Sequence, residues 1–539
     1  MEYNTDVLII GGGSAGLHAA IEAIKYGVKV SLVYKSGGNA TIMSAGGFAG
    51  NFSLDNCSDE INNKFFAEDI LLAGRNINCR KIVDVVVKNS SFEINELKSL
   101  GVSFIEDGCR NLKLFHASGH RYPRTVRCTG GNTRQYYSTI RKKALDLGVN
   151  IISNVNILKL IKGDDGICGA IGVYREDIVY ISCSSIILAT GGNGANYNFS
   201  THRKGIQGNG LTMALDVGAS LVDMEFMQFM PTTIAAPEKL SGLIVTDTLR
   251  GEGAVLLNKN YERFMEKYSP IKKDMDTRDK IAKSIFQEIY EGRGTSNNFV
   301  FLDARHIDRE KIKQSFTNYE ILIKYGIDPK NELIEVSPAS HYTCGGIKID
   351  ENAYTNVDGL WAAGEVAGGL HGANRLGSVA LTENLVFGKI AGKNAAIYSL
   401  NKRTAVNKKP YVNVNFENKY VEKYEEIIKK LRFNLSNNAG IVREEKSLSK
   451  GLKEVKDILN EINEMAPKNK EFTLKPLHMQ ISSFANLTYC ILKSCEMRKE
   501  SRGTHFRADY PKENNEFLKR IIIYQNNSEL VHCSEELNN

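Results

Sequence analysis

A histidine, an arginine and a glutamate near residue 370 have the types and spacing for binding anions and hydroxyl groups. His371 and Arg375 lie in a glycine-rich turn that leads into a predicted helix near 379–396. Helix N-termini attract anions, and a guanidinium group grips a carboxylate with two parallel hydrogen bonds. Glu365 follows a short predicted strand at 357–363, a position from which an acid accepts a ribose or ribityl hydroxyl. This stretch therefore predicts a site for both a cofactor and an acidic substrate.

Three glycines near the start of the chain have the spacing G-x-G-x-x-G, at Gly11, Gly13 and Gly16. They follow a predicted strand at 7–10 and open a predicted helix. Such a turn lets a pyrophosphate approach the backbone and lets the helix pack closely on the strand. The strand–turn–helix–strand context predicts dinucleotide binding. Lys35 stands near the end of the second strand, where the generic fingerprint has an acid instead.

Two further glycine-rich stretches support a flavin site. The loop at 37–47 consists mostly of small residues, which suits a backbone lying flat against a flavin ring. The stretch at 185–192 predicts a second buried strand that ends in glycines, as in flavoproteins with two dinucleotide-binding halves.

Composition limits the other function classes. The chain has 539 residues and a net charge of +7, but no stripe of Lys and Arg with interleaved aromatic residues, so we expect no nucleic-acid partner. No apolar run is long enough for a membrane span, and the N-terminus lacks a signal-like pattern, so we expect a cytoplasmic protein without a membrane span. The ten cysteines are dispersed, without C-x-x-C. We therefore expect no metal site, and any iron–sulfur cluster would belong to a partner chain.

Four motifs occur in the order found in one flavoprotein family: T-D-T-L-R-G-E-G at 246–253, R-D at 278–279, H-G-A-N-R-L-G at 371–377 and L-V-F-G-K-I-A-G at 385–392. The chain resembles the flavoprotein subunits of fumarate reductase and succinate dehydrogenase, a family that includes L-aspartate oxidase. The resemblance extends over about residues 5–512.

The resemblance implies an α/β fold with a two-dinucleotide-binding FAD domain, an inserted α+β capping domain and a C-terminal helical domain. The corresponding ranges are 1–220 with 340–404, 221–339, and 405–539. Within the last range, we expect Arg502 and His505 to pack internally rather than line the site entrance. We also expect the polar tail from Asn526 to be loosely held.

The resemblance also assigns roles in hydride transfer between the flavin and a C=C bond beside a carboxylate. Arg278 would be the proton donor, and Asp247 with Arg250 would resupply its proton. The substrate-binding residues would be Thr246, His341, Arg375, Met230 and His120.

FAD would be held by residues from both halves of its domain. These are Gly11, Gly13, Ser14, Ala15, Gly16, Lys35, Ser36, Asn39, Ala40, Thr41, Ala45, Gly46, Gly47, Ala189, Thr190, Gly191, Asn209, Glu365, Ser378 and Leu381. Membrane-bound relatives have a histidine at the place of Ala40 that bonds covalently to FAD. We therefore expect non-covalent FAD.

Several positions depart from the family pattern. Met230 stands where most members have a histidine that contacts one substrate carboxylate, and methionine is only a weak acceptor. Asp247 replaces a glutamate and is one methylene shorter. Asn209 replaces an aspartate. Ala117 occupies the place of a glutamate in aspartate oxidases.

These departures leave the substrate open. Fumarate or succinate is the first interpretation, with a small carboxylate as substrate and a separate iron–sulfur or other electron-donor protein as partner. The alternatives are L-aspartate oxidase, against which Ala117 and Met230 argue, and reduction of a monocarboxylic enoate, which Met230 favours. A flavin-dependent tRNA-modifying protein is a more distant alternative, because it leaves Thr246, Arg278, His341 and Arg375 without a function.

Overall fold

The computed structural model describes residues 1–35, 39–44, 47–52, 58–117, 119–203, 205–316, 318–402, 413–414, 420–466, 473–527 and 529–537. The cofactor-binding predictions at Ser36, Ala45 and Gly46, and the cysteine Cys57, lie outside these residues.

The described chain contains strands that assemble into several sheets. In chain order they are β1 (Glu2–Asn4), β2 (Val7–Ile10), β3 (Val30–Tyr34), β4 (Phe48–Ala49), β5 (Thr125–Val126), β6 (Asn150–Ser153), β7 (Asn156–Gly163), β8 (Gly166–Tyr174), β9 (Asp177–Ser182), β10 (Ser185–Leu188), β11 (Leu221–Val222), β12 (Met227–Ile234), β13 (Val255–Leu257), β14 (Val300–Asp303), β15 (Ile334–Thr343), β16 (Gly346–Lys348), β17 (Leu360–Ala362), β18 (Ala367–Gly368), β19 (Asn413–Val414), β20 (Thr473–Leu474), β21 (Lys519–Asn526) and β22 (Glu529–Glu536).

The α-helices alternate with these strands in the first part of the chain and dominate after residue 420. They are α1 (Ser14–Ile24), α2 (Ala40–Met43), α3 (Asp59–Ala73), α4 (Arg80–Ser99), α5 (Arg134–Asp146), α6 (Asn209–Asp216), α7 (Asp247–Gly251), α8 (Met265–Tyr268), α9 (Arg278–Tyr290), α10 (Arg309–Ser315), α11 (Tyr319–Lys324), α12 (Val379–Asn401), α13 (Val421–Asn438), α14 (Glu445–Glu464) and α15 (Pro476–Met497).

A parallel sheet in the order β17–β10–β2–β3–β6 forms the centre of the first domain. Strands β2 and β10 read V-L-I-I and S-I-I-L and are buried throughout, as expected for inner strands covered on both faces. Parallel strands end at the same edge, so the loops after β2, β10 and β17 meet there. This arrangement confirms the predicted α/β fold class.

Helix α12 packs against α1 at a distance that only glycine allows. A Cβ atom at Gly388 would lie 2.7 Å from the carbonyl oxygen of Ala15, and one at Gly392 would lie 2.3 Å from that of Ala19. Because α1 follows β2 and α12 follows the turn containing Arg375, this packing fixes the two predicted binding segments relative to each other.

A second sheet, in the order β12–β15–β14–β13, lies in the range predicted for the capping domain. It has a hydrophobic core of its own, which includes Ile234, Leu249, Ile285 and Val336. Strands β12 and β15 are long and antiparallel, and their register pairs Gln228 with Tyr342. They run from the capping sheet toward the first domain and bring residues from both ends of the insertion together.

The C-terminal part differs from the prediction in one respect. Helices α13, α14 and α15 were expected, but the expectation of a loosely held tail is wrong. Strands β21 and β22 form a continuous hairpin, and β21 also pairs with β11, so the tail is part of a five-stranded sheet. Ile523 of β21 is fully buried, so the strand with which the tail pairs is anchored in the core.

One predicted strand is in fact two. The apolar pattern at 149–158 predicts a single strand, but β6 belongs to the parallel sheet and β7 to a separate sheet in the order β1–β9–β8–β7. Asn154 adopts φ 64° between them, and this left-handed turn redirects the chain. Within the described residues, no helix combines the length and apolar character needed to cross a bilayer.

Replacing Ile523 with alanine tests the packing of the tail. We expect Ile523→Ala to reduce the stability of this region by about 2–4 kcal/mol, because it removes buried methyl and methylene groups from a filled core. The measurement is the melting temperature of the purified protein, with the exposed Glu529→Ala on the same hairpin as the control. Equal melting temperatures for both variants would show that the tail does not contribute to the core.

Candidate active site

The glycine turn after β2 brings the start of α1 against the end of β10. Gly11 has φ 127°, and a Cβ atom there would lie 2.0 Å from the carbonyl oxygen of Ala189. A Cβ atom at Gly16 would lie equally close to the carbonyl oxygen of Gly11, at 2.0 Å. Helix α1 has no side-chain cap at Gly13 and no acidic residue in its first turn. The start of this helix therefore has the open N-terminus, without a side-chain cap or an acid, that suits a phosphate.

A hydrogen-bonded network holds the first helical residue in this turn. The Ser14 amide donates to the Thr41 hydroxyl oxygen at 3.0 Å, and Asn384 Nδ2 donates to the Ser14 hydroxyl oxygen at 2.7 Å. Asn39 Nδ2 donates to the Gly12 carbonyl at 3.3 Å. Residues from the loop after β3 and from α12 thus converge on the same turn.

Some buried polar atoms of the first domain lack partners among the described residues, and one of them, the Thr190 hydroxyl, belongs to the residue that packs against Gly11. The Thr190 hydroxyl, just after β10, is inaccessible to solvent and has no hydrogen-bond partner among the described residues, and the same holds for His120 Nδ1. Buried polar atoms almost always have partners, so an absent polar molecule fits here. The glycine turn, the free helix start and these two atoms fit a flavin dinucleotide.

The Glu365 carboxylate has two protein partners, which the sequence did not indicate. Its Oε1 atom lies 3.1 Å from His202 Nε2 and accepts a hydrogen bond from the Thr343 amide at 3.0 Å. Burial would raise the pKa of the Glu365 carboxyl, but the charge of His202 and these hydrogen bonds outweigh it and lower the pKa. Glu365 is thus an ionised acceptor, as a bond to a sugar hydroxyl requires.

The remaining predicted cofactor residues lie around the same region. Ser378 adopts φ 62° at the start of α12, where Leu381 is buried, and Asn209 begins α6. Ala40 begins α2 and is exposed, and Lys35 is exposed at the end of β3. Gly47 approaches Thr125 so closely that a Cβ atom would lie 2.3 Å from its methyl group, and Gly191 adopts φ 76° after Thr190.

On the side of the capping sheet, one carboxylate joins two arginines. Arg278 Nε donates to Asp247 Oδ2 at 2.8 Å, and Arg250 Nη2 donates to Asp247 Oδ1 at 2.7 Å. Arg250 is buried and also donates to the Asp274 carbonyl at 3.0 Å. Burial opposes the charge on Asp247, but the two guanidinium groups outweigh it and lower the pKa of its carboxyl.

Arg375 is held differently. Its Nε and Nη2 atoms donate to Gln228 Oε1 at 3.2 and 2.9 Å, and its guanidinium carbon lies 4.3 Å from the centroid of the Tyr342 ring. Within the described part of the chain, no carboxylate lies within 4 Å of this guanidinium. Burial lowers the pKa of the Arg375 guanidinium, and the charge of Arg278 lowers it further.

His341 lies between the two arginines. Its Nδ1 atom is 2.9 Å from the Thr201 hydroxyl, whereas its Nε2 atom has no partner among the described residues. Burial lowers the pKa of His341 well below its ordinary value, and the charges of Arg375 and Arg278 lower it further. The imidazole is therefore neutral, and the three predicted residues converge on one positively charged recess.

The other predicted substrate residues have different surroundings. Met230 is buried on β12, opposite Ala339 of β15. Thr246 donates its hydroxyl hydrogen to the Ser315 carbonyl at 2.5 Å. His120 Nε2 lies 2.8 Å from the Gly377 carbonyl, and burial lowers its pKa to about 4.

No sequence pattern indicated the three residues that support Arg375, which are Gln228, Tyr342 and Glu383. Gln228 and Tyr342 are direct partners of Arg375, and Tyr342 in turn donates to Glu383 Oε2 at 2.8 Å. The same carboxylate oxygen lies 3.0 Å from Nε2 of His371, which is buried, whereas His371 Nδ1 has no hydrogen-bond partner among the described residues. Their common role depends on the β12–β15 register, for which the sequence carries no local signal.

The described cysteines are free thiols, and no group of three or more His, Cys, Asp or Glu side chains among the described residues has a metal-binding arrangement.

Comparisons with known proteins identify the family of the chain. Residues 6–381 match the family described as an FAD binding domain, and residues 428–536 match the family described as the fumarate reductase flavoprotein C-term. The chain is 32% identical over 538 residues to one of the subunits of the fumarate reductase (CoM/CoB) of Methanothermobacter marburgensis, covering 97% of each chain. It is 30% identical to L-aspartate oxidase of Yersinia pestis, covering 95% of this chain and 97% of that protein.

A solved structure of Escherichia coli quinol fumarate reductase FrdA superposes with a TM-score of 0.88 at 26% identity, covering 100% of this chain and 97% of that one. Family matches, relatives and fold agree that the protein is an FAD-dependent oxidoreductase. The chain belongs to the fumarate reductase and succinate dehydrogenase flavoprotein family, which also contains L-aspartate oxidase.

Proposed function

We propose that this protein reduces the C=C bond of a small unsaturated carboxylate, with fumarate as the first candidate. The observation that carries the proposal is Arg375, a recessed guanidinium without a carboxylate partner among the described residues. A charge in such a position needs a counterion. The carboxylate of a substrate supplies that counterion. His341 Nε2 has no partner among the described residues, and it donates a second hydrogen bond to this carboxylate in the tautomer that carries the proton on Nε2.

Bound FAD supplies the hydride that reduces one carbon of the double bond, and a proton must reach the neighbouring carbon. Arg278 is the proposed donor of this proton. A guanidinium is normally too weak an acid for this role. Its acceptor here is a carbanion-like carbon beside a carboxylate, which is a much stronger base than water, so even a weak acid can protonate it.

Asp247 and Arg250 then restore the proton on Arg278. Asp247 bonds both guanidinium groups, and its side chain is 29% exposed, so it connects Arg278 to solvent. Arg375 meanwhile stabilises the charge that builds up on the substrate carboxylate in the transition state. Gln228 and Tyr342 fix the direction of Arg375 for this purpose.

The electrons that reduce the flavin come from outside this chain. The described residues provide no cluster site, and two of the relatives are named as subunits of fumarate reductases. An iron–sulfur protein or another electron-donor protein is therefore the proposed partner.

A monocarboxylic enoate is the second candidate substrate. Met230 is buried and offers no hydrogen to a carboxylate, and the Thr246 hydroxyl is engaged with Ser315. Neither Met230 nor Thr246 therefore offers a hydrogen-bond donor to a second carboxylate. L-aspartate oxidase remains a third alternative because of the 30% identity, and peroxide formation from aspartate would identify it.

Replacing Arg278 tests the proton donor. We expect Arg278→Gln to lower the rate at which an enoate reoxidises the reduced flavin by at least about 10²- to 10⁴-fold, while FAD stays bound, because the neutral glutamine amide is a weaker acid than a guanidinium. The matched control is Arg305→Gln, an exposed arginine paired with Asp303 on the capping sheet. Near-native turnover by the Arg278 variant would exclude the acid role.

Denaturation tests the mode of flavin attachment. Ala40 offers only a methyl group at the start of α2, so we expect acid precipitation to release all the flavin into the supernatant. The measurement is the flavin absorbance of supernatant and pellet. Flavin that stays with the pellet after repeated washing would contradict non-covalent binding.

A panel of enoates tests the second candidate. If the missing donors exclude a second carboxylate, the protein should reduce acrylate or crotonate faster than fumarate. Met230→His should then shift this preference toward fumarate, because its imidazole supplies a hydrogen-bond donor. Met230→Leu serves as the control for volume. Preference for fumarate in the wild-type protein, unchanged in Met230→His, would count against the monocarboxylate interpretation.

A further inference from the structure

A cleft of about 200 Å³ opens beside the active-site recess, between the capping sheet and the C-terminal part of the chain. One wall comes from Gln228 and Phe229 of β12 and another from the first turns of α9. The turn at 501–506 closes the third side. Arg502 and His505 belong to this wall and are internally bonded, Arg502 to Glu500 at 2.8 Å and His505 Nε2 3.0 Å from the Arg498 carbonyl. The wall is therefore rigid.

The Gln228 side chain connects the cleft to Arg375. Gln228 lines the cleft and accepts both hydrogen bonds of Arg375. Helix α9 connects the two spaces in a similar way, because Arg278 points toward Asp247 while the next residue, Asp279, lines the cleft. The cleft thus lies directly outside the positively charged recess.

Cations outnumber acids along the cleft, but most are paired. Lys280 pairs with Asp276 at 3.3 Å, which neutralises it. Arg75 and Arg502 share Glu513, at 3.8 and 3.4 Å.

Lys283 is different. Within the described part of the chain, no carboxylate lies within 4 Å of its amine, which lies 3.3 Å from the centroid of the Phe506 ring. Burial lowers the pKa of Lys283, and the charge of Asp279 only partly compensates. A partly dehydrated cation over an aromatic face attracts an anion that enters the cleft.

We propose that this cleft is the route by which the anionic substrate reaches Arg375, and that Lys283 docks its carboxylate before it passes Gln228. The inference rests on the proposed function in that it concerns the same carboxylate. It assigns Lys283 to the association step and not to the chemical step. Changing its charge should therefore alter the rate of binding and its dependence on salt, and leave the maximal turnover rate unchanged.

The test uses Lys283→Met, which keeps the length of the side chain and its packing on Phe506, and Lys283→Arg, which restores the charge. Lys311→Met, an exposed lysine on α10 of the cap, is the matched control. Oxidised, FAD-loaded protein is mixed in a stopped-flow instrument with succinate and, separately, with propionate. The association rate is read from the change in flavin absorbance at low and at physiological ionic strength.

We expect Lys283→Met to slow association by at least about threefold at low ionic strength and to weaken its salt dependence, with Lys283→Arg and Lys311→Met close to wild type. Equal association rates in all four proteins would overturn the proposal, and so would a wild-type flavin spectrum that neither anion changes. The proposed function is judged separately by enoate turnover. If the protein turns over an enoate but its association rate does not depend on Lys283, only the proposed route is wrong. If association depends on Lys283 but no enoate is turned over, only the proposed reductase activity is wrong.

Discussion

The active site depends on keeping like charges close together. Arg278 and Arg375 both lie near His341, close enough that their charges lower the pKa of its imidazole. Asp247 offsets the positive charge on one side by bonding Arg278 and Arg250. Among the described residues, the Arg375 guanidinium is held by a neutral amide and the face of an aromatic ring. The recess therefore keeps an uncompensated positive charge, and binding a carboxylate relieves it.

This arrangement requires long-range structure because its members come from distant parts of the chain. Strands β12 and β15 stand at the two ends of the capping insertion, and their pairing sets Gln228 opposite Tyr342, beneath Arg375. The turn containing Arg375 is fixed by α12, whose glycines allow it to pack tightly on α1. The helix that opens the nucleotide turn and the helix that follows the substrate arginine are thus one packed unit. A shift of the cofactor would be transmitted to the substrate site.

The sequence predicted those features that depend on local patterns. The glycine turn at Gly11–Gly16 requires a close backbone approach, at Gly11 and Gly16 above all, and the helical pattern at 59–73 predicts α3 with the bounds it has, Asp59–Ala73. The motif residues Arg278, His341 and Arg375 were taken from the family resemblance, and the structure brings them together.

Features set by distant pairing were missed. The tail hairpin reads as polar beyond residue 526, and only its pairing through β21 to β11 shows that it belongs to a sheet. The hydrogen bonds between Gln228 and Arg375 depend on the register of β12 and β15. The left-handed backbone conformation of Asn154 ends β6 within a continuous apolar pattern. The engagement of Thr246 with Ser315 likewise joins residues far apart in the chain.

The most direct test of this account is an experimental structure of the FAD-loaded protein with succinate bound. The account predicts one carboxylate on the Arg375 guanidinium and His341 Nε2, and the Arg278 guanidinium about 3–3.5 Å from one of the two central carbons, the separation expected for proton transfer to a reacting atom. Succinate bound away from Arg375, or Arg278 turned away from both carbons, would contradict it.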